Sequence, residues 1–158
     1  MPEIFAEVYT DGSCHTQLKI GVWVAIIFIG NKKKILSATV TDTTHNRMEL
    51  TAVIKSIQYL KTHFGFITTI RIITDSQYVT GLAARKEKIV LSDFTTAKKN
   101  LIQNADLVKT FLQLLSSVSV ELIKIKAHQK ETGTINYNRE ADILSRKLLR
   151  KAVEQNFE

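Results

Sequence analysis

Val22 to Ile29 is an unbroken run of eight apolar residues, VWVAIIFI. It is too short to cross a bilayer as a helix, which takes roughly 20 residues. A run this short and this rich in Val and Ile reads instead as a strand buried on both faces. The sheet containing it must then be covered by helices on each side, which is an α/β arrangement.

The flanking segments supply the rest of that sheet. Ile4 to Thr10 reads as a first strand, His15 to Lys19 as a turn or loop, and Ile20 to Gly30 as a second strand. The polar link Gly30-Asn31-Lys32 predicts a hairpin into a third strand, Lys34 to Val40. The period then changes. Leu50, Val53, Ile57, Leu60 and Phe64 recur at helical spacing and predict a helix over Asn46 to His63, with Thr43 to Asn46 suited to its start. Ile67 to Thr74 is β-branched and returns to strand. Ser76 to Ala84 reads as a short helix, and Arg85 to Gln103 favours neither period. Asn104 to Leu115 is helical, with Asp106 in its first turn and Leu107, Phe111 and Leu114 on one face. Val118 to Lys126 is another strand, and Ala127 to Asn136 is a polar loop containing Gly133. Asn138 to Glu154 closes the chain as a helix with Ala141, Leu144, Leu148 and Ala152 inward.

The order βββαβααβα predicts a single mixed five-stranded sheet flanked by helices. Three strands form an antiparallel meander, and the later ones join through helical crossovers. Pro2 is the lone proline, and there is no linker, repeat or low-complexity tract. One domain spanning 1–158 is therefore expected.

Charge narrows the partner. Lys and Arg number 22 against 15 Asp and Glu, a net charge of +7, which suits a polyanion, nucleic acid first. The basic residues come in short groups (Lys32 to Lys34, Arg85 to Lys88, Lys98-Lys99, Lys124 to Lys130, Arg146 to Lys151), so a binding surface would belong to the folded body. Cys14 is the only cysteine, which rules out an internal disulfide and suits a reducing, cytoplasmic compartment. Glu3 and Glu7 break the order of a signal peptide. A cytoplasmic monomer without membrane attachment is the expectation.

Four acids stand in unusual places. Asp11 and Asp75 each follow an apolar, β-branched segment, at the rim of the expected core, Asp11 where the strand is expected to give way to a turn at Gly12, and Glu49 and Asp142 lie on helices. A buried carboxylate is costly without a cation, and neighbouring carboxylates raise each other's pKa. Each also has an ordinary reading. Asp75 can cap the helix that follows, Glu49 suits a first helical turn, and Asp142 can be a solvated helix residue. Together they predict convergence around divalent metal.

The contexts of these acids carry more. Tyr9-Thr10-Asp11-Gly12-Ser13, Asn46-Arg47-Met48-Glu49-Leu50, Thr74-Asp75-Ser76-Gln77 with Tyr78-Val79, and Asn138-Arg139-Glu140-Ala141-Asp142 occur in that order. From about Phe5 to Arg150 the chain resembles the type I ribonuclease H family. The resemblance implies the ribonuclease H-like fold and an endonuclease that cuts the RNA strand of RNA–DNA hybrids, leaving 5′-phosphate and 3′-hydroxyl ends. It implies that Asp11, Glu49, Asp75 and Asp142 bind two metal ions, with Asp11 bridging them. Oxygen-only donors suit Mg²⁺, with Mn²⁺ as substitute. One ion would activate water and the other would stabilise the leaving 3′-oxygen. His128 matches an auxiliary histidine for proton transfer or product release. Ser13, Cys14, Asn46 and Gln77 match residues that contact the RNA strand, Thr44 and Asn104 match a pocket for a DNA-strand phosphate, and Asn138 belongs to the same substrate-binding set. For Thr44 and Asn104 a helix cap is the competing reading.

The chain also departs from the family. Cys14 to Lys19 replaces a glycine-rich turn, leaving only Gly21, and Gln17 and His45 stand where asparagines are common. Asp42 stands where some members carry a phosphate-gripping arginine. Arg85, Ile89 and Phe94 occupy a protrusion that is often rich in tryptophan, whereas the only tryptophan here is Trp23. Lysines keep that segment basic, which predicts salt-sensitive hybrid binding. A catalytically silent hybrid- or double-stranded-RNA-binding module is the alternative function. The intact set of four acids argues against it, because binding alone gives no reason to keep acids facing a polyanion.

Overall fold

The computed structural model describes residues 4–126 and 136–157. Strands β1 (Phe5–His15), β2 (Ile20–Ile29) and β3 (Lys32–Val40) precede helix α1 (His45–His63), and strand β4 (Thr69–Thr74) follows it. Helices α2 (Gln77–Ala84), α3 (Lys86–Leu91) and α4 (Ala105–Ser117) then lead to strand β5 (Ser119–Lys124) and helix α5 (Tyr137–Asn156). The strands form one sheet in the order β3-β2-β1-β4-β5. β1, β2 and β3 pair antiparallel, and β4 and β5 add parallel to β1. This is the mixed five-stranded sheet read from the sequence, flanked by helices.

The apolar run of β2 is buried on both faces, and its alternation assigns each face. Trp23, Ala25 and Ile27 join the larger core under α1 and α4 with Leu50, Val53, Ile57, Leu60 and Phe111. Val22, Val24 and Ile26 pack on the opposite side against Ala141, with Leu144, Leu148 and Leu149 of α5 around them. Burying each large aliphatic side chain is worth roughly 1.5–3 kcal/mol, so both helical layers are held by the same central strand. At the edge, Lys32, Lys33 and Lys34 of β3 are exposed, and such charges discourage pairing with another sheet. Among the described residues no helix is long and apolar enough to cross a membrane.

Three differences from the sequence reading bear on the site. First, β1 does not end at Thr10. It runs on to His15, pairing Asp11 with Val24 and Gly12 with Trp23, so Asp11 lies inside the strand and Gly12 is no turn. The long antiparallel partner β2 extends β1, and an aspartate's poor strand propensity is overridden by that pairing. Second, the ambiguous Arg85–Gln103 stretch contains α3, so the order is βββαβαααβα, with three helices between β4 and β5. Ile89 of α3 is buried in the core, an anchor too isolated in sequence to show a helical period. Third, Asp75 does not cap α2. Ser76 does, accepting from the Val79 amide at 3.1 Å.

Gly12 is required by close approach. A Cβ there would stand 2.5 Å from the Glu49 amide nitrogen and 2.7 Å from the Met48 carbonyl carbon. A Cβ at Gly21 would stand 2.6 Å from Met48 Cγ. The first turn of α1 therefore lies directly on β1 and β2, which brings Glu49 beside Asp11.

Candidate active site

One open cleft of about 380 Å³ is lined by Asp11, Glu49, Asp75 and Asp142, together with Ser13, Cys14, His45 and Arg146. Each acid arrives from a different element. The register that pairs Tyr9 with Ile73 brings Asp11 beside Asp75, two residues further on, just past the end of β4. α1 contributes Glu49, and α5, packed across β1 and β2, contributes Asp142.

The acids differ in what holds them. Glu49 is gripped at both oxygens. His45 Nε2 lies 2.7 Å from Oε1, and the Ser76 hydroxyl donates to Oε2 at 2.5 Å. Glu49 in turn raises the His45 pKa. Asp142 is paired with Arg146, one turn along α5, at 3.1 Å. Asp11 is the most buried acid, 8% exposed. Ser145 donates to its Oδ2 at 2.6 Å. Burial, followed by the charges of Asp75 and Asp142, pushes the Asp11 carboxyl up from 3.8 to about 7, against the lowering effect of the Ser145 and Gly12 hydrogen bonds. Among the described residues no three acid, His or Cys side chains close tightly enough to ring an ion by themselves. The four acids share a cleft, and Glu49, Asp142 and Asp11 are each held by partners of their own.

The family model described as RNase H matches residues 5–150. The chain belongs to the ribonuclease H family. It is 34% identical over 143 residues to a Ribonuclease H from Wolbachia pipientis wMel, spanning 90% of this chain and 93% of that protein. It is 35% identical over 145 residues to a Ribonuclease H from Ehrlichia canis (91% and 94%) and 35% over 126 residues to one from Moorella thermoacetica (77% and 78%).

The expected substrate contacts of this ribonuclease H family member are spread over several elements. Ser13 and Cys14 line the acidic cleft itself. Ser13 Oγ lies 2.8 Å from Ser145 Oγ, and the Cys14 thiol is turned to the Thr43 carbonyl at 3.6 Å. Asn46 is half-buried in the first turn of α1, and Gln77 is exposed at the first position of α2. Thr44 caps α1, accepting from the Arg47 amide at 3.3 Å. Asn104 has a left-handed backbone and no capping hydrogen bond. Its side chain donates to the Tyr78 hydroxyl at 3.0 Å and accepts from Arg47 at 3.3 Å, while Arg47 also forks onto Asp106 at 3.0 and 2.9 Å. The helix-cap reading thus describes Thr44 and not Asn104, and a guanidinium reaches this spot from Arg47 where Asp42 offers none. Asn138 is buried, and its Oδ1 lacks a hydrogen-bond partner. His128 lies outside the described residues.

In the protrusion, Ile89 is in the core and Phe94 lies beneath the Lys109 ammonium, 5.3 Å from its ring centre. Of the three positions matched there, only Arg85 is exposed. The sequence reading passed over Ser76, Ser145 and Arg146 as members of the site. Their signal was spacing, since Ser145 and Arg146 stand three and four residues after Asp142, on the same helical side.

Proposed function

We propose that this protein is an endoribonuclease that hydrolyses the RNA strand of RNA–DNA hybrids, leaving 5′-phosphate and 3′-hydroxyl ends. The joint lining of one cleft by Asp11, Glu49, Asp75 and Asp142, in a chain of net charge +7, carries the reading. Acids repel a phosphate backbone unless cations come between them. The donor set fits such cations: every one of the four offers carboxylate oxygens, which suit Mg²⁺, with Mn²⁺ as substitute. Asp11 in particular, whose carboxyl burial and like charge push up to about 7, gains from a neighbouring cation, which favours its charged form. When bound, two such ions would supply phosphate neutralisation and an activated water.

The protein's own groups set the stage for that chemistry. Ser76 and His45 orient Glu49, Arg146 orients Asp142, and Ser145 orients Asp11. His128 serves as an auxiliary proton carrier. Ser13, Cys14, Asn46 and Gln77 face the RNA strand, where 2′-hydroxyls distinguish it from DNA. Thr44 and Asn104, with Arg47 between them, take a DNA-strand phosphate, and Asn138 supports the rim. One domain over residues 1–158 acts as a monomer in the cytoplasm, where Cys14 stays reduced.

The test is direct. Labelled RNA–DNA hybrid, double-stranded RNA and double-stranded DNA are each incubated with the protein in Mg²⁺, Mn²⁺ or EDTA. Metal-dependent loss of the hybrid's RNA strand alone is expected. Asp11→Asn should abolish cutting and leave hybrid binding measurable. Binding by wild type without any cutting would instead mark a silent hybrid-binding module.

A further inference from the structure

Serine is a poor choice for the inward face of a helix, because it buries a hydroxyl and competes for backbone hydrogen bonds. Ser145 nevertheless sits on that face of α5, fully buried, between Ala141 and Leu148. Its oxygen has three polar neighbours within reach. They are Asp11 Oδ2 at 2.6 Å, Ser13 Oγ at 2.8 Å and the Asp142 carbonyl at 3.0 Å. A hydroxyl has one proton to give. The charged and nearer acceptor is Asp11, and charge-assisted hydrogen bonds are the stronger kind. Ser13 then donates to Ser145. The result is a relay, Ser13 to Ser145 to Asp11, that crosses from β1 to α5 and back.

An ordinary account of a buried helical serine is a bond to its own helix, here the Asp142 carbonyl. That account leaves the two shorter contacts unexplained, and both go to β1. They also sit at a telling place. The residue one turn before Ser145 is Asp142, and the residue two before Ser13 is Asp11. The hydroxyl therefore ties together the two segments that carry facing acids of the cleft.

We infer that Ser145 is a positioning residue for the reaction: its hydroxyl fixes one oxygen of Asp11 and locks α5 to β1, so that Asp11 and Asp142 present to the same cation. This rests on the cation-binding reading of the cleft. With Oδ2 held by Ser145, Asp11 keeps a set side-chain orientation and Oδ1 remains for the cation. Such supporting hydrogen bonds ordinarily contribute about 10- to 100-fold to metal affinity.

Mn²⁺ binding to the full-length protein, measured by titration calorimetry without nucleic acid, tests the role. Ser145→Ala should weaken Mn²⁺ binding by about 10-fold. Ser145→Thr keeps the hydroxyl and should bind close to wild type even if its added methyl lowers the melting temperature. Ser13→Ala, which with nucleic acid absent removes chiefly the donor to Ser145, should weaken Mn²⁺ binding less than Ser145→Ala. With hybrid at fixed Mn²⁺, Ser145→Ala should lower kcat and leave KM unchanged, since no substrate contact is lost. A packing role alone would shift melting and not cation affinity. Wild-type binding by Ser145→Ala, or equal losses in Ser145→Ala and Ser145→Thr, overturns the role of Ser145 while the cation reading stands. Absence of Mn²⁺ binding by wild type overturns both. If Ser145→Ala does not fold, Ser145→Thr and Ser13→Ala decide: wild-type affinity in Ser145→Thr with a loss in Ser13→Ala supports the role, and any other pattern overturns it.

Discussion

With divalent metal removed by EDTA, Asp11→Asn should make the protein more stable at alkaline pH, although it removes a charged group from the centre of the cleft. In the folded chain burial, and then Asp75 and Asp142, hold the Asp11 carboxyl at about 7 instead of 3.8. Unfolding exposes it to water, where it titrates near the ordinary value of about 3.9. The folded state thus retains a proton that the unfolded state releases. A raised carboxyl contributes stability that is fully present below about pH 4 and is lost as pH rises through about 7. Between about pH 5 and about pH 8.5 the two states diverge by roughly 2 further pK units, or about 3 kcal/mol at ~1.36 kcal/mol per unit. Asparagine has nothing to titrate. Urea denaturation of both proteins in EDTA across that range should show wild type losing about 3 kcal/mol more than Asp11→Asn. His45, whose pKa Glu49 raises, also withdraws stability as pH rises, but it does so in both proteins and largely cancels. Saturating Mn²⁺ should restore the wild-type loss at the alkaline end and do nothing for the variant. Parallel stability curves for the two proteins in EDTA would refute the claim that Asp11 is held against its charge.

Other perturbations follow from particular contacts. Gly12→Ala places a Cβ against the backbone of Met48 and Glu49; urea midpoints should show a loss of about 1–3 kcal/mol, and hybrid cleavage per folded molecule should fall because α1 must move while every acid remains. Phe111→Ala empties a fully buried site and should cost about 3–5 kcal/mol by the same measurement, with cleavage per folded molecule unchanged. Arg47→Ala breaks a fork onto Asp106, whose side chain is 66% exposed; stability should change by less than about 1 kcal/mol. If Arg47 takes a DNA-strand phosphate as proposed, hybrid affinity in a salt titration should nonetheless drop, with a shallower log–log slope.

Much of the fold was legible because its signals are local. The apolar run of β2 announced a strand covered on both sides, and Leu50, Val53, Ile57 and Leu60 marked the buried face of α1; those four and Val22 to Ile27 are buried in the structure. The short helix α3 escaped because six residues carrying a single buried anchor, Ile89, show no period. The end of β1 was misplaced for a different reason. Asp-Gly-Ser reads as a turn by local preference, but ten residue pairs with β2 hold the segment extended. Gly12 then proves to be a site of close packing and not of bending.

Residue types and their contexts by themselves marked four acids as candidates, placed the chain in its family and pointed to a nucleic acid as partner, since carboxylates, glycines and lysines are written in the chain. What only the tertiary structure decided is how those acids are held: Glu49 between His45 and Ser76, Asp142 on Arg146, and Asp11 on Ser145, 134 residues away. Hydrogen bonds between distant segments leave no periodicity to read, because they depend on the register of β1 against β4 and on the seat of α5 across β1 and β2. Packing sets those distances, and with them the burial that moves the Asp11 carboxyl.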